Sequence, residues 1–398
     1  MARFHLLSLL SIASLARAFV LHPDLPSLLS DDDDETPLPL VIWHGLGDNY
    51  AADGLKEVGE IAQETNPGTY VYNVRLDEDP SADRSATFLG NLTLQVEKVC
   101  ADLAKDPILS TAPAIDALGF SQGGQFLRAY VERCNNPPVR SLVTFGSQHN
   151  GISEFQTCGA TDWLCKGAQA LLRGNTWSTF VQSRFVPAQY FRDPMQYEQY
   201  LENSNFLADI NNERLLKNKT YKENMEKLEN FVMYIFEDDT TVIPKETGWF
   251  SEVNGTDVIP LRERDMYKED WLGLKTLDKK GALKFKSTKG SHMALTDKLL
   301  GSVFKEVYGP MKKGSSLKSQ RPDALASYEK QLEILEEKNK AALLKAFEEA
   351  GVAGSAEDGL DAALAKERED RKQRILTEQA RNFAARVQRE HAPKQEEL

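Results

Sequence analysis

Four absences narrow the field before any motif is read. No stretch of the 398 residues forms a basic stripe, and the net charge is −12. A nucleic-acid partner needs clustered Lys and Arg to neutralise phosphates, so that class is set aside. No C-x-x-C pair occurs among the four cysteines, Cys100, Cys134, Cys158 and Cys165. That spacing argues against a zinc site or a thioredoxin-like redox centre, and no other pattern calls for a metal or cofactor. Beyond the N-terminus no segment reads as a transmembrane helix. Histidine is scarce: of six in the chain, His149, His292 and His391 alone follow residue 121. What is abundant is apolar residue, 41% of the total, enough for a sizeable core.

The N-terminus opens with Arg3, an apolar run over residues 6–15 and then Ala16-Arg17-Ala18. A positive start, a short apolar stretch and an A-x-A site predict a secretory leader cleaved after Ala18. The run is too short to span a bilayer. In an oxidising compartment four cysteines suggest two disulfides, with three pairings open. Cys158 and Cys165 flank a short loop and are paired, which leaves Cys100 with Cys134. N-x-[ST] sequons at Asn91, Asn218 and Asn254 are candidate glycosylation sites.

Four segments follow from composition. Residues 1–18 are the leader, and 19–36 a Pro-rich, then acidic linker. A catalytic domain is expected over 37–314, and a charged tail over 315–398. Within the domain, apolar strands are expected at residues 38–43, 69–74, 114–120, 140–145, 231–236 and 283–286. Helical stretches at 52–64, 90–106 and 125–134 alternate with the first four. This alternation predicts an α/β protein with a mostly parallel sheet and helices on both faces. It stops over residues 150–228, a mixed insert where such folds keep lids and specificity elements. In the tail, Leu325, Tyr328, Leu332, Leu335, Asn339, Ala342 and Ala346 step by three and four, a short heptad seam. A C-terminal helical extension able to self-associate or bind a partner is one expectation for it, a solvated tail the other.

Gly119-Phe120-Ser121-Gln122-Gly123 carries the chemistry. It fits the G-x-S-x-G elbow, and its context is right, with a buried strand before it and a helix after it. The glycines allow a strained turn that lifts the Ser121 hydroxyl clear of the sheet at a helix N-terminus. A serine nucleophile needs a base, and this fold orders them Ser, acid, His. His391 lies in the polar tail, and His149 follows too closely on the next strand, so a structural role is expected there. His292, in a loop between the last strand and a helix, is the candidate base. The acid belongs after the strand at 231–236, where Asp239 is the choice and Asp238 its rival. An oxyanion hole takes two backbone N–H groups: Gln122, after the nucleophile, and Leu46, in the loop after the first strand. His44 is expected to be structural, and Asp48 to cap the next helix.

Longer strings give a resemblance. Residues 41–48, Val-Ile-Trp-His-Gly-Leu-Gly-Asp, and 119–129, from Gly119 to Ala129, resemble the lysosomal palmitoyl-protein thioesterases. So do Phe206-Leu207-Ala208-Asp209-Ile210-Asn211, Asp270 with Leu272-Gly273-Leu274, and the Gly290-x-His292 loop. The resemblance covers residues 37–310 in consistent order. It implies the α/β-hydrolase fold and hydrolysis of thioesters between long fatty acyl chains and protein cysteines. Its substrates would be S-acylated proteins or peptides, and its location the lysosome, vacuole or extracellular space. It maps the triad to Ser121, Asp239 and His292, the oxyanion donors to Leu46 and Gln122, and the disulfides to Cys100–Cys134 and Cys158–Cys165. It also implies an acyl groove formed largely by the insert. Departures are Asp238, where the family pattern has Asn, Asn49 and Tyr50, where some members carry a Cys pair, and the tail, which has no counterpart. Two rivals stand beside this reading: an oxygen-ester lipase or esterase with the same triad, and a non-catalytic scaffold acting through the tail.

Overall fold

In the first strand, β1 (Leu40–Trp43), every residue is buried and the two parities enter opposite cores. Leu40 and Ile42 face one, Val41 and Trp43 the other. Two-sided burial is why the segment reads as an unbroken apolar run, the pattern of a parallel strand covered by helices. The computed structural model describes residues 37–154 and 174–310. The leader, the linker, the tail with His391, and the pair Cys158 and Cys165 lie outside the described residues.

From β1 the chain runs through α1 (Asp53–Thr65), β2 (Val71–Asn73), α2 (Pro80–Ala86), α3 (Leu92–Lys105), β3 (Ile115–Phe120), α4 (Gln122–Arg133) and β4 (Val139–Phe145). After the insert come β5 (Asn230–Phe236), β6 (Leu283–Thr288) and α5 (Asp297–Val307). The six strands lie in the order β2-β1-β3-β4-β5-β6, and every pairing is parallel. From β1 the chain steps outward to β2, then returns to set β3 on the other side. That reversal opens a crevice at the carboxyl ends of β1 and β3, where open α/β sheets bind ligands.

Helices cover both faces. On one, α1 buries Leu55, Val58 and Ala62, and α5 buries Leu300, Val303 and Phe304. On the other, α3 and α4 bring Val96, Val99, Phe126 and Tyr130. Each leucine, valine or phenylalanine among them contributes about 1.5–3 kcal/mol by leaving water. A Cys100–Cys134 disulfide, Cα to Cα 6.0 Å, ties α3 to the end of α4, as the spacing and the resemblance had it. At the amino end of the sheet Arg140 binds the buried Asp116 through two hydrogen bonds and donates to Gly309 O at 2.9 Å, fastening the end of the fold. Beyond the expected elements are α2 and a small antiparallel hairpin of Glu252–Asn254 and Asp257–Ile259.

The described part of the insert is made largely of short helices. Its Phe206, Leu207, Ala208 and Ile210 are fully buried. Arg128 of α4 donates to Ile210 O at 2.9 Å and Asn211 Oδ1 at 2.8 Å, and Arg133 to Asp209 at 2.6 Å. The string at 206–211 thus fixes the insert to the helix behind the nucleophile. Of the sequons, Asn218 and Asn254 are exposed, while Asn91 is half-buried and caps α3 through Leu94 N.

Candidate active site

Ser121 follows β3 directly and opens α4 with φ 50° and ψ −126°, a left-handed conformation that costs an L-residue energy. The flanking glycines are required by proximity. A Cβ on Gly119 would collide with the Gly124 backbone, and one on Gly123 with the carbonyls of Trp43 and His44. The turn therefore works only with bare backbone, and it leaves the hydroxyl facing the crevice.

The loop after β6 brings His292 to this hydroxyl. His292 Nε2 lies 3.1 Å from Ser121 Oγ, and His292 Nδ1 lies 2.7 Å from Asp239 Oδ2. Asp239 Oδ1 accepts from Thr241 N at 2.8 Å and Val242 N at 3.0 Å. Burial alone would raise the Asp239 carboxyl, but His292 and the two backbone donors outweigh it and hold it below the usual range. Asp238, the rival, is exposed; its N–H donates to Gly290 O at 3.1 Å. The turn after β5 therefore points Asp239, not Asp238, at the imidazole.

His149 is elsewhere and fully buried. Its ring stacks on Phe250, 5.0 Å between centroids, and Nε2 pairs with Thr144 Oγ1 at 3.0 Å. Burial, with Arg128 beside it, holds it well below its usual range, in the neutral form. His44 is buried against Asp83, with Nε2 3.1 Å from Oδ2. The expectation for Asp48 is corrected: α1 begins at Asp53 after Ala52, with no side-chain cap, and Asp48 accepts from its neighbour Asn49 N at 2.9 Å. Five residues put the helix start out of its reach.

Leu46 and Gln122 flank the serine. Gly45 lies against Ser121, where an added Cβ would meet the serine Cβ at 3.2 Å. Leu46, Ser121 and His292 line one cavity of about 780 Å³. Gln122 is the first residue of α4, where a helix leaves its N–H groups without internal partners. Its side chain is held on both sides: Tyr190 Oη donates to Oε1 at 3.1 Å, and Nε2 donates to Thr87 O at 3.3 Å.

The cavity runs from the serine along α1 and α5, past Leu55, Val58, Ile61 and Leu300, and the exposed Phe88 also lines it. The described part of the insert contributes Ile152, Pro187 and Tyr190. Most of the insert's described aromatics, Tyr200, Phe206 and Tyr221 among them, pack into the core instead. Among the described residues, then, the walls come more from the first and last helices than from the insert.

Thr87, Asp83 and Tyr190 were not singled out by sequence. The signal available was Asp79-Pro80, a capping residue followed by proline at the first helical position, which marks the start of α2.

The model of the palmitoyl protein thioesterase family matches residues 39–292. The chain is 38% identical to palmitoyl-protein thioesterase 1 of Caenorhabditis elegans over 267 residues, 66% of this chain and 89% of that one. It is 36% identical to palmitoyl-protein thioesterase 3 of Dictyostelium discoideum, covering 64% and 84%. Against the human lysosomal thioesterase PPT2 the identity is 29%, covering 62% and 78%. With a match across most of the domain, and a site assembled at the switch point of its sheet, the chain belongs to the palmitoyl protein thioesterase family.

Proposed function

We propose that this enzyme hydrolyses the thioester between a long-chain fatty acyl group and a protein cysteine, using Ser121, His292 and Asp239. The observation that carries the reading is His292, which bridges Ser121 Oγ and Asp239 at the edge of an apolar cavity. In this scheme His292 takes the proton from Ser121 as the hydroxyl oxygen attacks the thioester carbon. Asp239 orients the imidazole and stabilises the imidazolium. The backbone N–H groups of Leu46 and Gln122 receive the oxyanion. The C–S bond breaks, His292 returns the proton to the departing sulfur, and an acyl-Ser121 remains. A cysteine thiol has a pKa of about 8.5, so the sulfur leaves readily. Water, activated by His292, then releases the fatty acid and restores Ser121.

The acyl chain is assigned to the cavity along α1 and α5, where each buried methylene contributes about 0.8 kcal/mol. No helix among the described residues is long and apolar enough to cross a membrane. A lysosomal, vacuolar or secreted location fits the leader and the relatives, and Asn91, Asn218 and Asn254 are the proposed glycan acceptors. Partner binding or self-association is assigned to residues 315–398, whose deletion should leave turnover intact.

The test compares the mature chain with Ser121→Ala on a palmitoylated cysteine peptide. Fatty acid release that disappears in the variant supports the reading. Release from an oxygen ester but not from the thioester would move it to an esterase. No release from either, from acidic to neutral pH, would sink it.

A further inference from the structure

The loop that carries Leu46 is pinned from outside. At its far end Asn73 Nδ2 donates to Tyr50 O at 3.2 Å and Tyr50 Oη to Glu78 O at 2.8 Å; the pins nearer Leu46 come from α2 and the residue after it. Asp83, fully buried, accepts from His44 Nε2 at 3.1 Å and from Tyr50 N at 2.8 Å. Thr87, 2% exposed, accepts from Gly47 N at 2.9 Å through its hydroxyl. The same hydroxyl donates to Arg84 O at 2.7 Å, which fixes its rotamer and aims a lone pair at Gly47. The Thr87 carbonyl, in turn, accepts from the Gln122 side chain at 3.3 Å. One residue thus contacts both segments assigned as oxyanion donors, and Leu46 stands next to the point where its hydroxyl holds the loop.

We propose that Thr87 is the positioning residue of the oxyanion hole, acting through Gly47 on Leu46 and through its carbonyl on Gln122. The inference rests on the assignment of Leu46 and Gln122 as the donors. Gln122 needs the less help, because the sheet and the elbow already fix the start of α4. The loop 44–50 belongs to no strand or helix. Gly47, at φ 79°, occupies the left-handed region, and Gly45 adds further backbone freedom. A hydrogen bond on the adjacent N–H is what keeps the Leu46 amide aimed where negative charge develops. A donor set in advance counts more in the transition state than in the ground state. Its misplacement should therefore lower kcat and leave KM largely unchanged.

The experiment measures kcat and KM on a palmitoylated cysteine peptide for the wild-type chain, Thr87→Val, Thr87→Ser and Thr69→Val. Valine keeps the shape and removes the two hydrogen bonds of the hydroxyl, leaving the backbone carbonyl on Gln122; serine restores them. Thr69 is a remote control: its buried hydroxyl donates to Asn66 O at 2.8 Å before β2, at the opposite end of the sheet. The expected result is a loss of about 10- to 100-fold in kcat for Thr87→Val, below the 100- to 1000-fold of removing a donor outright. KM should stay within about twofold, Thr87→Ser should recover most of kcat, and Thr69→Val should lose thermal stability alone. If the valine variant does not fold, Thr87→Ala makes the same comparison with serine. Wild-type kcat in Thr87→Val or Thr87→Ala, serine as impaired as valine, or a change confined to KM would overturn the proposal. An inactive wild-type chain would instead overturn the thioester reading, so the two failures are distinguishable.

Discussion

Two histidine–aspartate pairs stand on either side of the crevice, built from the same parts. In one, Asp239 takes His292 on one oxygen and the amides of Thr241 and Val242 on the other. In the second, Asp83 takes His44 and Tyr50 N on one oxygen and Leu76 N on the other, at 2.7 Å. The difference lies at the far nitrogen. His292 Nε2 meets a hydroxyl, from which it can take a proton; His44 Nδ1 lies 3.2 Å from Gly45 O, which has none to give. Burial differs too, with the side chain 14% exposed for His292 and 1% for His44. A carboxylate behind an imidazole is thus no mark of catalysis by itself. The third partner and access to the cavity decide whether the pair moves protons or holds a loop.

The largest effect expected from this contrast separates the two aspartates. Asp239→Asn should lower kcat by about 10⁴, because the amide favours the wrong imidazole tautomer. Asp83→Asn should cost at least about a hundredfold less in kcat and appear mainly in thermal stability. Steady-state kinetics beside thermal melts of both variants check this. Equal losses of kcat would mean that the second pair takes part in the chemistry.

A smaller effect tests the cavity, which His292 lines and His44 does not. Ile61 lies two turns along α1 from Gly54, about 10 Å at 1.5 Å per residue. Ile61→Trp should narrow the far end and leave the serine alone. The expected outcome is a loss in kcat/KM of about fourfold for each methylene excluded, from 0.8 kcal/mol apiece. Octanoyl thioesters should be spared while palmitoyl thioesters suffer. Equal loss for all chain lengths would place the acyl chain elsewhere.

Much of this was legible in advance, for reasons that differ by residue. The sheet could be read because its central strands are buried on both faces and so appear as apolar runs. Ser121 could be read because its turn demands glycines at fixed offsets, and His292 because chain order left little choice. Asp239 and Asp238 are neighbours after one strand, and only the direction of the turn separates them. Asp83 and Thr87 had no local mark. Their partners lie 39 and 40 residues away in sequence, and α2 is short and polar, with little periodicity to announce it. The resemblance implied an acyl groove largely in the insert, but aromatic composition alone does not tell lining from core, and most of the insert's described aromatics are core.

The smallest effect sharpens the comparison by pH. Burial would raise the Asp83 carboxyl, yet His44 and the amides of Leu76 and Tyr50 hold it below its usual range. An unfolded aspartate titrates near 3.9. Between these values the unfolded chain binds more protons than the folded one, so stability falls as pH falls. Above about pH 5 the contribution of the carboxylate is complete and no longer changes with its own titration. Asp83→Asn replaces a charged hydrogen bond by a neutral one, a loss of about 1.5–3 kcal/mol. In a domain of this size that is roughly 3–5 °C of Tm. The gap between wild type and variant should therefore be flat from pH 8 to pH 5 and narrow only below about pH 5. A gap that already narrowed between pH 7 and pH 5 would mean that the carboxylate is not held ionised in the fold, and the loop would need another anchor.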